Sequence, residues 1–201
     1  MIKRNLLVMG LAVLLSACGF QLRGTGTSEL AIKELDLSAR NAYGDTVTMM
    51  RQTLQSSGVK VMAGAPYKLV FTNEQDSSRI LSYVGGSQTG EYELSTVLNY
   101  EIVGNHNLSL ISDKLQVQKV VMHDGSNITG SVQETDEARK EIRRDLVQRM
   151  MLRLQQLTPA QLDKLQQTAD ARAKAEADAL EAAQKAEANT PRQSPLQVPA
   201  E

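Results

Sequence analysis

The strongest pattern along the chain is an alternation. In "EYELSTVLNYEIV" (91–103), Tyr92, Leu94, Thr96, Leu98, Tyr100 and Ile102 fall on one side, and Glu93, Ser95, Asn99 and Glu101 on the other. A period of two held over that length predicts a strand in a sheet packed on one face and wet on the other. Three other stretches carry the same signal more briefly. Residues 31–39 set Leu35 and Leu37 against Glu34 and Asp36, and residues 67–72 set Tyr67, Leu69 and Phe71 against Lys68, Val70 and Thr72. Residues 113–122 line up Leu115, Val117 and Val121, a series that Lys119 interrupts. "GGSQTG" (85–90), between "SSRILSYV" and "EYELSTV", predicts a long hairpin tipped at Gly85-Gly86. "GNHNLS" (104–109) predicts a second turn, because Gly104, Asn105 and Asn107 tolerate turn dihedrals. The last three strands are therefore expected to form an antiparallel meander.

Two segments change period. Residues 43–58 offer Asp45 as a cap, Val47, Met50 and Leu54 at helical spacing, and Gly58 as a stop. Residues 134–157 place Ala138, Ile142, Leu146, Met150 and Leu154 four apart, with Val147 and Met151 widening the stripe. The expected fold is α+β: a small, mostly antiparallel sheet of about four strands with two helices packed on one face. Past Thr158-Pro159 the composition shifts, and ten of the twenty residues from 169 to 188 are alanine. Helix propensity is high there, yet only Leu180 could anchor a packed face and no apolar heptad exists. Residues 158–188 are expected to form a solvated helical extension of the 18–157 domain. Residues 189–201, with three prolines, are expected to be a disordered tail.

The N-terminus has another grammar. Lys3 and Arg4 are followed by an apolar run from Leu6 to Leu15, broken only by Gly10, then by small Ser16-Ala17 and by Cys18, the single cysteine. Cationic, apolar and small segments in that order predict a secretory signal peptide over residues 1–17. As a membrane span it is too short, since ten residues at ~1.5 Å rise cover about half of a ~30 Å hydrocarbon core. Leu15-Ser16-Ala17-Cys18 resembles the bacterial lipobox. That resemblance implies cleavage after Ala17 and a Cys18 carrying an S-diacylglyceryl group and an N-acyl chain. Each buried CH₂ contributes ~0.8 kcal/mol, so such an anchor would hold the domain at a membrane surface. Gly19 stands where an Asp favours inner-membrane retention, so an outer-membrane location on the periplasmic side is expected.

Candidate chemistry is sparse. The formal net charge is −1, which builds no field for nucleic acid. His106 and His123 have no zinc-ligand spacing, and no nucleophile elbow, phosphate-cradling loop or dinucleotide fingerprint is present. Neither catalytic residues nor a metal site is expected, nor any cofactor beyond the covalent lipid on Cys18. The run Arg139, Lys140, Arg143, Arg144, Arg149 and Arg153 reads as the wet face of a helix.

"CGFQLRG" (18–24), "SQTGEYELSTVLNYEI" (87–102) and "ARKEIRRDLVQRMMLRL" (138–154) together resemble the LPS-assembly lipoprotein family, LptE (also called RlpB), over roughly residues 18–157. The resemblance implies a lipoprotein that plugs and helps assemble the β-barrel lipopolysaccharide transporter (LptD), supports insertion of lipopolysaccharide (LPS) into the outer leaflet, and binds LPS itself. It also implies two helices against a small sheet. Barrel contact would come from the turn Gly85, Gly86, Ser87 and Gln88, and from the polar side of the 91–103 strand. Basic residues that some members carry before the Gln-Thr-x-Glu-Tyr strand start and before the last helix are absent at Gly85-Gly86 and Ser131-Val132. Arg79 and Lys119 are the substitutes for LPS phosphates, and a surface arginine and a snorkelling lysine explain the same two residues equally well. Other readings are a generic periplasmic lipoprotein acting as pilot or adaptor for a secretion or envelope complex, and a lipid-anchored hydrolase.

Overall fold

The computed structural model describes residues 30–83 and 89–189. The signal segment, Cys18, the hairpin tip with Gly85, Gly86, Ser87 and Gln88, and residues 190–201 lie outside the described residues.

One mixed five-stranded sheet organises the domain. Its strands are β1 (Glu34–Ala39), β2 (Lys60–Val61), β3 (Lys68–Tyr83), β4 (Thr89–Val103) and β5 (Ser109–Asp124), in the order β2-β1-β3-β4-β5. β3, β4 and β5 form the expected antiparallel meander, whereas β1 runs parallel to both β2 and β3. The fifth strand, β2, was not expected from the sequence: two residues are too few to show a period. The parallel pairs follow from the helix between β1 and β2, since a crossover returns the chain in the same direction.

That helix, α1 (Asp45–Ser56), buries Thr46, Val47, Met50 and Leu54. Its cap is Gly44, and Asp45 is instead the first helical residue, where a carboxylate meets the positive end of the helix dipole. The far end is a Schellman motif. The Gly58 N–H donates to Gln55 O and the Val59 N–H to Leu54 O, with Gly58 at φ +79°. Val59 and Leu54 are both buried, the apolar contact that accompanies this motif.

The second long helix, α2 (Ile128–Gln155), buries Ala138, Ile142, Leu146, Val147, Met150, Met151 and Leu154, the stripe read from the sequence. It starts six residues before the expected 134, because Asn127 Oδ1 caps it by accepting from the Gly130 N–H at 3.1 Å. Both α1 and α2 cover one sheet face and touch each other. Leu94, Leu98, Tyr100 and Ile102 of β4 meet Leu69 and Phe71 of β3 and Val117 and Val121 of β5 in the core beneath them.

α3 (Pro159–Asn189) is the Ala-rich extension, and its beginning is packed rather than solvated. Thr158 and Gln161 form a capping box: the Gln161 N–H donates to Thr158 Oγ1, and the Thr158 N–H to Gln161 Oε1 at 3.0 Å. Leu162 is fully buried beside Ala31, Ile32, Pro66 and Tyr67. Gln166 Oε1 accepts from the Asn105 N–H at 2.9 Å. A Cβ on Gly104 would meet that same Gln166 oxygen and the end of Leu110, so a larger residue there would have to displace both side chains. Asn105–Asn107 form a single 3-10 turn in which His106 and Asn107 have φ near 60°. Beyond residue 170 the exposed helix carries Leu180 at 61% exposure, so the residue that could have anchored a packed face does not.

Candidate functional site

β3 runs on through "NEQDSSR", a stretch with no apolar alternation, because β4 supplies a hydrogen-bonding partner along its whole length. Fifteen or sixteen residues per strand at ~3.4 Å carry the ribbon about 50 Å. β1 pairs only with residues 68–71 of β3, so among the described residues the remainder of β3 is an edge.

The register sorts the side chains into two faces. On the face away from the helices, successive rungs across β3, β4 and β5 read Asn73/Asn99/Lys114, Gln75/Val97/Gln116, Ser77/Ser95/Gln118, Arg79/Glu93/Val120 and Ser82/Glu91/Met122. Amides and hydroxyls dominate the middle rungs, with Val97 among them. Gln116 Nε2 donates to Ser95 Oγ at 3.1 Å, and Ser95 is buried despite lying on this face, since larger neighbours flank it on the central strand. Arg79 donates to both Glu93 carboxylate oxygens, at 2.9 and 3.2 Å. That guanidinium holds the Glu93 carboxyl below its ordinary range, and the bond raises Arg79 in turn. The last rungs turn amphipathic, with Val120 at 52% and Met122 at 44% exposure.

The helix-side face of the distal ribbon is tied down by charge. Arg139 of α2 pairs with Asp76 at 3.1 Å and donates to the carbonyls of Ser77 and Ser95. Asp76 accepts from Thr96 Oγ1, which accounts for a threonine among the apolar positions of β4. Thr46 donates to Glu74 at 2.6 Å. Lys119 pairs with Glu141 of α2.

The two basic candidates are therefore not one site. Arg79 shares a rung with Glu93 on the open face, whereas Lys119 shares one with Leu94 under α2. Each has a carboxylate partner. Glu93, Ser95, Asn99 and Glu101 do share the open face, as the alternation predicted. Sequence reasoning missed the exposed apolar residues at the end of the ribbon, Ile80, Leu81 and Tyr83 of β3 and Val120 and Met122 of β5. A strand pattern assigns such residues to a core, and only the reach of the helices shows that nothing described covers them. It also missed the share of α3 in the domain, although Thr158-Pro159-Ala160-Gln161 is a helix-start signature. Among the described residues no group of His, Cys, Asp or Glu could hold a metal ion, and no helix is long and apolar enough to cross a membrane.

Comparison with known proteins agrees with this architecture. The model of the family described as LptE, lipopolysaccharide-assembly, matches residues 32–154. The LPS-assembly lipoprotein LptE of Pectobacterium atrosepticum is 31% identical over 103 residues, which cover 48% of this chain and 55% of that protein. Its counterpart in Photorhabdus laumondii is 31% identical over 101 residues, 56% of its length, so the chain spans about half the length of these relatives. The one in Yersinia enterocolitica is 24% identical over 171 residues, with 82% of each covered. The crystal structure of the rare lipoprotein B from Shewanella oneidensis has a TM-score of 0.55 at 19% identity, covering 60% of this chain and 92% of that one. The solution structure of an uncharacterized lipoprotein B from Nitrosomonas europaea has a TM-score of 0.56 at 21% identity, covering 69% and 89%. These structural likenesses bear on the fold alone.

Proposed function

The chain belongs to the LptE lipopolysaccharide-assembly family, and from that premise we propose that it is a lipid-anchored, non-catalytic component of the outer-membrane LPS translocon that seats its open sheet face in the polar lumen of the transporter barrel (LptD). The observation that carries the plug reading is the ladder of mostly polar rungs from Asn73/Asn99/Lys114 to Ser77/Ser95/Gln118, in which Lys114 is the one charged residue and Val97 the one apolar residue. The inside of a transmembrane barrel is polar, so a protein held there needs hydrogen-bonding groups outward rather than a greasy surface. Helices on the other face and long backbone pairing keep that surface stiff, and a stiff surface loses little freedom on docking. The barrel-assembly role follows from the same contact, because a plug that fills the lumen favours the closed barrel over open intermediates.

Cys18 supplies the tether in this reading, acylated on sulfur and amine and set in the outer membrane from the periplasmic side. The turn expected at Gly85, Gly86, Ser87 and Gln88 would add a further point of barrel contact. LPS contact falls to Arg79 rather than to Lys119, since Arg79 lies on the open face and can offer a bidentate fork to a phosphate by releasing Glu93. Co-purification from detergent-solubilised outer membranes tests the plug. Gln116→Trp with Gln118→Trp, two bulky changes at exposed positions, should sharply lower recovery of the barrel while the chain remains folded. Undiminished recovery would remove the open face from the interface, and recovery of a secretin ring instead would favour the pilot or adaptor reading. Intact-mass analysis of the native protein should show three acyl chains on a chain beginning at Cys18.

A further inference from the structure

A second site lies at the other end of the molecule, where α3 meets the sheet. A cleft of about 540 Å³ opens between the first turns of α3, the last turn of α2 and the helix-side face of β4 and β5. Its floor is Tyr100 and Ile102, both almost fully buried, beside the half-buried Ile111. Leu157 and Leu165 form the apolar walls. At the rim stand the Arg153–Asp113 pair, 2.7 Å apart, and Lys164.

Charge at this rim is not balanced. Arg153 is committed to Asp113 and to the Tyr100 hydroxyl, whereas Lys164 is exposed and has no ion pair among the described residues. The volume falls within the ~300–1,000 Å³ of ordinary small-molecule sites, which combine apolar walls with a few placed polar groups. Lys164, Leu165 and Thr168 belong to α3, which begins beyond the matched residues 32–154. The cleft is distinct from the open face used in the proposed function.

We propose that this cleft binds a single-chain anionic amphiphile of the fatty-acid class, with the acyl chain along Ile111, Leu157 and Leu165 and the carboxylate on Lys164. An apolar chain buries well there, and a lone rim cation selects a negative head over a neutral or positive one. A bulky multi-chain lipid does not fit a cleft of this size.

Photocrosslinking tests it on the full lipidated chain in maltoside micelles, with a diazirine-bearing dodecanoate as probe and the matching dodecylamine as control. Peptide mass spectrometry should place adducts within residues 100–111 and 157–168, and unlabelled dodecanoate should compete them away. Lys164→Glu at an exposed position should cut the dodecanoate adduct about tenfold by replacing attraction with repulsion. Thr168→Trp, which fills the rim from an exposed helical position, should abolish adducts while circular dichroism stays unchanged. Equal labelling by dodecylamine, adducts spread over the whole surface, or indifference to both substitutions would overturn the proposal.

Discussion

β3 contains a comparison within one strand. Leu69 and Phe71 at its beginning are buried, whereas Ile80 and Leu81 near its end are 45% and 42% exposed. The residue types are alike and β4 pairs with both ends. What differs is cover: β1 lies against the first part, and the second projects beyond it, an edge among the described residues. Backbone pairing thus carries most of the distal ribbon, braced from α2 by the Arg139 contacts, the Lys119–Glu141 pair and the bond that Arg149 donates to the Gln116 carbonyl. The lesson is that strand formation and core formation are separable, and that the free end is available for a partner.

The largest break in this comparison should come from the covered half. Leu98→Ala at 0% exposure should destabilise the domain by about 2–5 kcal/mol in urea denaturation, while Ile80→Ala should stay within about 0.5 kcal/mol. Equal effects would mean that the distal ribbon has a cover of its own. Next comes the brace. Arg139→Ala leaves Asp76 without its cation and should cost about 1–3 kcal/mol, with faster amide exchange along 74–79 than along 68–71. Uniform exchange in both halves would show that pairing with β4 suffices.

A smaller effect concerns the junction with α3. Gln166→Ala should cost about 1 kcal/mol by urea denaturation, and should loosen the first turns of α3 in hydrogen exchange without touching the ribbon. The smallest effects are electrostatic. Asp113 is held below the ordinary carboxylate range, chiefly by the Lys114 N–H and then by Arg153. It therefore stabilises the fold at neutral pH, and the contribution fades as pH falls below about 4 and through its depressed value. Asp113→Asn should flatten that acid limb. Arg79→Ala should return the Glu93 carboxyl toward its ordinary range in NMR titration, with little change in the thermal midpoint, because the guanidinium of the pair is solvent-exposed.

Legibility in the sequence followed the physics of each element. The β4 alternation, the α2 stripe and the Gly58 stop were readable because each is a local rule with a period or a dihedral behind it. β2 was not, because its two residues are held by β1 rather than by their own pattern. Polar residues 73–79 hid the middle of β3 for the same reason. Arg79 and Lys119 were legible as cations, but their assignment to opposite faces needed the register with β4.

Taken alone, the order of residues determined where the strongly periodic strands and helices form, which side of β4 is apolar, and that Cys18 follows a signal-like segment, since dihedral preference and periodicity act over a few neighbours. Only the tertiary structure decided which apolar side chains are covered, which cations share a face, and that α3 closes a cleft on the domain. Those outcomes depend on contacts between residues as far apart as Asn105 and Gln166, and no local pattern encodes them.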